Sequence, residues 1–192
     1  MMSKLILASA SPRRASLLRQ VCLDFKVIPS RFDEDDTLQM SPKKLAVHFA
    51  RSKAEEVASR VEEGIIIGAD TVVELNGELL GKPQSTEEAF LTLKKLSGDV
   101  HQVTTGLAVT DKEKNVTRTA YSTTRVWFRP VKEEEITAYI ASGEPMDKAG
   151  AYGIQGRAAM FVNKIEGCYF NVVGLPLSKL AEILTDVRVK IF

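Results

Sequence analysis

The sequence is poor in the residues that mark metal clusters and disulfide-stapled scaffolds. It holds two cysteines, Cys22 and Cys168, far apart and outside any CxxC pair, and two histidines, His48 and His101. Structural zinc needs such residues grouped at short spacing, and disulfide-built folds need many more cysteines. One disulfide is formally open to the pair, but the better reading is two buried free thiols in a reducing cytosol. The histidines lack partner spacing, which leaves a Ser-His-Asp or zinc-hydrolase site poorly supported. There is no excess of either charge: 26 Lys plus Arg against 25 Asp plus Glu give a net charge of +1. A duplex nucleic-acid module is disfavoured, although a local basic pocket is still allowed. Long hydrophobic runs are also missing. After Met1-Met2-Ser3-Lys4, with its single positive charge, the run Leu5-Ile6-Leu7-Ala8 is interrupted by Ser9, Ser11 and Arg13. That is too short for a signal peptide or a membrane span, so a cytoplasmic protein with no membrane association is expected.

What is present is ordinary globular composition, 44% hydrophobic and 27% charged over 192 residues. This suits a single domain spanning 1–192, or two small lobes around one cleft. Leu5 to Ala8 reads as a buried strand, with Ser11 as N-cap and Pro12 opening a helix through Gln20. Phe25 to Ile28 alternates like a second strand. Ser41-Pro42 opens a helix to about Glu62, whose i, i+4 row is Leu45, Phe49, Lys53, Val57 and Val61. The β-branched run Ile65-Ile66-Ile67 predicts a strand covered on both faces and ending in Gly68-Ala69-Asp70-Thr71, with Val72 to Leu75 continuing extended. Asn76-Gly77 predicts a hairpin turn, and Ser85 with Glu88 a capping box. Two long strands follow around Lys112 to Asn115, then a helix from Glu133 closed by Gly143. Segment 144–156 has no periodicity and three glycines, as site-lining loops often do. A last hairpin around Glu166-Gly167 and a terminal helix from Leu175 complete an α/β chain, a mixed β-sheet with flanking helices.

Several residues could carry chemistry. Asp70 is placed at the carboxyl end of a buried strand, where open α/β sheets bind ligands, and a carboxylate there can hold a divalent cation or act as a base. Ser9-Ala10-Ser11-Pro12-Arg13-Arg14 sets two hydroxyls and two guanidiniums at a helix start, an anion-attracting arrangement. It lacks the glycines and Gly-Lys of a Walker loop. Lys53 in an apolar row is either a snorkelling stem or a cation aimed at a buried anion. Lys82, between Gly81 and Pro83, is an aimed cation or an ordinary turn residue. Of Asp33, Glu34, Asp35 and Asp36, one could share a metal with Asp70. Cations beside a carboxylate–metal pair suit polyphosphate cleavage.

Leu7-Ala8-Ser9-Ala10-Ser11-Pro12-Arg13-Arg14, Gly68-Ala69-Asp70-Thr71, Gly81-Lys82-Pro83 and segment 144–156 together resemble the Maf family, with further matching at Val173-Gly174-Leu175-Pro176. The resemblance covers nearly the whole chain. It implies an elongated α/β structure with a central cleft, similar to inosine-triphosphate pyrophosphatases. The implied activity is nucleoside triphosphate pyrophosphatase, cutting between the α- and β-phosphates to give a nucleoside monophosphate and pyrophosphate. It implies a divalent metal, Mg or Mn, held by Asp70 and Glu34, with Asp33 and Asp35 as alternatives for the second position. Asp70 is implied as the catalytic carboxylate, Glu34 and Lys82 as charged catalytic partners, and Ser9, Arg13, Arg14, Lys53, Thr71 and Gln155 as substrate-binding. The Arg13, Thr71 and Gln155 combination looks like the branch acting on dTTP and UTP, normal or modified. The alternatives are the 7-methyl-GTP branch and a nucleotide-binding regulator of septum formation. A homodimer is compatible with a cleft enzyme of this size, but no residue specifies one.

Overall fold

Alternation along one long strand sorts the molecule into two faces. The structure, a computed structural model, describes residues 4–35 and 38–191; Met1, Met2 and Ser3, and the acidic Asp36, lie outside the described residues. The elements in order are β1 (Leu5–Leu7), α1 (Pro12–Gln20), β2 (Phe25–Val27), α2 (Pro42–Ser59), β3 (Ile65–Leu75), β4 (Glu78–Leu80), α3 (Thr86–Leu96), β5 (Val100–Asp111), β6 (Val116–Phe128), α4 (Glu133–Ile140), β7 (Val162–Glu166), α5 (Tyr169–Val173) and α6 (Leu177–Asp186). They form one seven-stranded mixed sheet, order β2-β1-β3-β5-β6-β7, with β4 added to β3. β2, β1 and β3 run parallel, and β4 to β7 pair antiparallel with their neighbours.

On one face Leu5, Leu7, Ile65, Ile67, Leu107 and Val109 enter the large core with α1, α3, α4 and α6. On the other Ile6, Ala8, Ile66 and Ala108 meet Ala50, Ala54 and Val57 of α2. Each fully buried aliphatic side chain contributes about 1.5–3 kcal/mol. α2 lies unusually close to the sheet. A Cβ on Gly68 or Gly106 would stand 2.2 Å from the carbonyl oxygens of Ala50 and Ala46 respectively, so only glycine admits the helix at this distance. The helix seats itself through Ala46, Ala50 and Ala54, one row round from the larger row Leu45, Phe49 and Val57, which is also buried. Asp70 shares the parity of Gly68 and therefore faces α2, where Lys53 awaits it.

The structure corrects four sequence expectations. Asp70 is not at the carboxyl end of β3: the extended Val72 to Leu75 belongs to the same strand, because β5 supplies a ladder partner from Ile65 to Glu74, so Asp70 sits mid-strand. Cys168 to Val172 does not pair back as a hairpin. Residues Tyr169–Val173 are a short helix, and β7 pairs with β6 instead. Cys22 is exposed rather than buried, and Cys168 is half-buried; both are free thiols. Ser11 occupies the N-cap position, but its hydroxyl makes no cap bond. Other local signals match. Asn76 and Gly77 both take positive φ, 51° and 87°, as a two-residue hairpin turn requires. Ser85 accepts from the Glu88 amide, while the Glu88 carboxylate accepts from the Gln84 amide. Among the described residues no helix is long and apolar enough to cross a membrane.

Candidate active site

A gap in the sheet edge makes the site. β1 accompanies β3 only from Ile65 to Ile67, and β4 only from Val73 to Leu75. Between them, Asp70, Thr71 and Val72 of β3 border a cleft of about 890 Å³. The chain leaving β1 turns here through Ala8 to Arg14 into α1, so its hydroxyls and guanidiniums line one wall. The cleft also takes in Glu34, Lys53, Asp70, Thr71, Lys82 and Gln155. The structure thus gathers Ser9, Arg13, Arg14, Glu34, Lys53, Asp70, Thr71, Lys82 and Gln155 around one cleft, while Asp33 and Asp35, the alternatives to Glu34, are not among its lining residues.

Asp70 and Lys53 form the charged floor. Lys53 Nζ lies 2.6 Å from Asp70 Oδ1 and is also ion-paired with Glu34. Side-chain exposure is only 9% for Asp70 and 12% for Lys53, so the pair is shielded from water. Burial pushes the Asp70 carboxyl above its ordinary range, with Lys53 and Arg14 acting against that shift. Glu34 goes the other way: burial works against its charge, but the Lys53 hydrogen bond and the charges of Lys53, Lys82 and Arg14 together hold it low. Lys53 is therefore an inward cation clamped between two carboxylates, not a snorkelling stem. Two neighbouring carboxylates with unequal environments are a common basis for dividing acid–base roles.

Arg14 and Arg13 prove to be different. Arg14 is folded into the floor: Nε donates to the Gly174 carbonyl at 2.8 Å, Nη1 to Ser9 Oγ at 3.1 Å and Nη2 to Thr71 Oγ1 at 3.1 Å. Burial lowers its pKa, opposed by the Asp70 charge. Arg13 instead crosses the cleft to Asp147, 3.0 Å away, and Asp147 also holds Lys148 at 2.6 Å. Lys82 is exposed at the mouth, and so is Gln155.

Thr71 belongs to a directed chain of hydrogen bonds. Thr105 Oγ1 donates its one proton to the Asn171 carbonyl at 2.9 Å, so in the 2.9 Å contact between Thr71 and Thr105 the donor is Thr71. Thr71 therefore accepts from Arg14, donates to Thr105, and offers the cleft a remaining lone pair. Asn171, fully buried, anchors the chain by accepting from the Thr105 amide and donating to the Val103 carbonyl and Thr124 Oγ1.

Sequence reasoning missed Asp147, Lys148, Thr105 and Asn171 as individual contributors. The first two lie in the loop flagged as site-lining, and Asn171 is the one polar residue in Phe170-Asn171-Val172-Val173. That interruption was a usable signal.

The family described as Maf-like protein matches residues 4–187. A protein named dTTP/UTP pyrophosphatase from Carboxydothermus hydrogenoformans is 50% identical over 183 residues, covering 95% of this chain and 98% of its own. One of the same name from Methanosarcina barkeri is 48% identical over 192 residues, covering 100% of this chain and 98% of its own. Another of that name, from Pelotomaculum thermopropionicum, is 48% identical over 183 residues, with 95% and 96% covered.

Proposed function

The chain belongs to the Maf family, and from that premise we propose that it is a nucleoside triphosphate pyrophosphatase. Its substrates are dTTP and UTP, released as the nucleoside monophosphate and pyrophosphate. Relatives at about 50% identity over nearly their full length carry that activity in their names, and the cleft supplies matching chemistry. The single observation that carries the reading is the buried Asp70–Lys53–Glu34 cluster in a cleft walled by Arg13, Arg14 and Lys82.

In this reading the triphosphate lies along the cation wall. Arg13 exchanges Asp147 for phosphate oxygens, which a guanidinium can hold in bidentate fashion. Lys82 adds charge at the mouth. Asp70 takes the proton of the attacking water, and Lys53 fixes the orientation of its carboxylate through the 2.6 Å contact. Positioning and charge neutralisation then provide most of the rate enhancement.

Asp70 and Glu34 also fit a divalent ion. Both are hard oxygen donors that meet at the Lys53 ammonium, and such donors suit Mg or Mn. No group of three or more His, Cys, Asp or Glu side chains converges among the described residues. An ion would thus draw its other ligands from phosphate oxygens and water, as Mg commonly does. When bound it would polarise the phosphoryl oxygens and offset their charge.

The remaining proposals follow from the same features. We read the chain as one domain whose two lobes flank the cleft. A net charge of +1 favours free nucleotides over nucleic acid as partners. Two free thiols suit a reducing cytoplasm.

The test is a panel of UTP, dTTP, CTP, GTP and 7-methyl-GTP with purified protein, reading pyrophosphate with Mg and after metal removal. UTP and dTTP should lead by about 10-fold or more in kcat/KM, and metal removal should abolish turnover. A lead for 7-methyl-GTP would move the chain to that branch. Tight binding without turnover would make it a nucleotide-binding regulator.

A further inference from the structure

Gln155 sits at the cleft mouth on an exposed loop, yet a base-reading side chain must be held still to discriminate. The surroundings of the loop show what holds it. Two residues before Gln155, the Gly153 amide donates to the Tyr139 hydroxyl at 3.2 Å. Two residues after it, the Arg157 amide donates to Glu144 Oε2 at 3.1 Å. The two anchors are joined, because the Tyr139 hydroxyl donates to Glu144 Oε1 at 3.1 Å. One phenol and one carboxylate thus tie down the backbone on both sides of Gln155.

The glycines bracketing Gln155 point the same way. A Cβ on Gly156 would stand 2.0 Å from Glu144 Oε1, and one on Gly153 would stand 2.6 Å from Lys148 Cε. These glycines make room for Glu144 and Lys148 beneath the loop. The Gly156 amide is likewise committed within the loop, to the Gly153 carbonyl at 3.0 Å. Lys148 extends the brace, since its Nζ donates to the Glu144 carbonyl at 2.5 Å and pairs with Asp147, the partner of Arg13.

Tyr139 is suited to the post. Its ring is 3% exposed and packs edge-on against Phe161 at 5.4 Å, fixing the hydroxyl from below. Burial, helped by the Glu144 charge, pushes the phenol well above its ordinary range, so it keeps its proton and remains a donor to Glu144.

We infer that Tyr139 and Glu144 are positioning residues for base selection, acting through the backbone on either side of Gln155. This rests on the proposed role of Gln155 at the pyrimidine edge. Uracil and thymine offer an acceptor at O4 and a donor at N3, whereas cytosine reverses that pair. A loop held at one depth presents the Gln155 amide and its carbonyl at one place; a loosened loop does not. Asp70 and Lys53 lie elsewhere in the cleft, so the brace should govern KM and discrimination more than kcat.

A double-mutant cycle tests this, with Tyr139→Phe, Gln155→Ala and the combination, each assayed on UTP and CTP. Tyr139→Phe keeps the packed ring and removes only the bridging hydroxyl. It should raise KM for UTP about 10-fold, leave kcat within about 3-fold, and lower the UTP-to-CTP ratio of kcat/KM by about 10-fold. Gln155→Ala should lower the same ratio at least as far. The combination should stay within about 2-fold of Gln155→Ala alone, because residues acting through one contact are not additive. Glu144→Gln is the second variant should Tyr139→Phe melt early, and it should shift the ratio in the same direction. If Gln155→Ala lowers the ratio and both brace variants leave it unchanged, or if the effects add, the positioning role is wrong. If Gln155→Ala leaves the ratio unchanged, the base-reading role fails and the inference falls with it.

Discussion

Asp70→Asn should lower kcat/KM for UTP by about 10³-fold while the protein remains folded. General acid–base catalysis contributes about 10²–10⁴-fold, and an amide cannot take the proton of the attacking water. The substitution also removes an oxygen donor for the divalent ion, which lifts the expectation from the lower end to the middle of that range. The fold should survive because Lys53 retains Glu34 as a partner and the amide matches the carboxylate in size. The measurement pairs steady-state kinetics with a thermal melt. Activity within about 10-fold of wild type would remove Asp70 from the chemistry. A large loss of melting temperature would make the activity loss uninformative, and Asp70→Ser would then be compared.

Lys53→Met is the second large effect, and it should appear in both activity and stability. An inward cation in an apolar row, taken by itself, could be removed at no cost to the fold. The structure changes that expectation, because Lys53 stands between two carboxylates. Methionine preserves the packed stem but leaves Asp70, 9% exposed, without its partner and facing Glu34. Breaking a buried pair on one side costs about 3–5 kcal/mol, or a fall of roughly 6–20 °C in melting temperature for a chain of this size. The catalytic efficiency should fall about 10²-fold, or about 2.7 kcal/mol, as the base loses its orienting contact. Combining Lys53→Met with Asp70→Asn should restore part of the stability, since the uncompensated charge is gone. A melting temperature unchanged in Lys53→Met would mean that the cluster is not held as described.

The limits of the sequence are instructive at these same residues. Lys53 stood out because a charge interrupted an i, i+4 apolar row, a purely local signal that needs no knowledge of the sheet. Asp70 stood out by its place after a β-branched run, but its mid-strand position did not, since the strand continues only because β5 pairs with it residue by residue. The close seat of α2, which aims Lys53, depends on Gly68 and Gly106 lying under one helix; these are separate in sequence and meet only through strand pairing. α5 reads as a strand in sequence because its helical identity is tertiary: Asn171 is fixed by Thr105, Val103 and Thr124 from two other strands. Asp147 was visible as a loop residue, but its bond to Arg13 spans 134 positions. The motif blocks were legible, and the directions of their hydrogen bonds were not.

In the proposed mechanism, water activated at Asp70 attacks the α-phosphorus of a pyrimidine nucleoside triphosphate, and the fate of its oxygen distinguishes this route from the others. Turnover of UTP in water enriched in oxygen-18, followed by mass spectrometry of both products, should place one labelled oxygen in UMP and none in pyrophosphate. Label in pyrophosphate, or UDP and orthophosphate as the main products, would mean that another phosphorus is attacked.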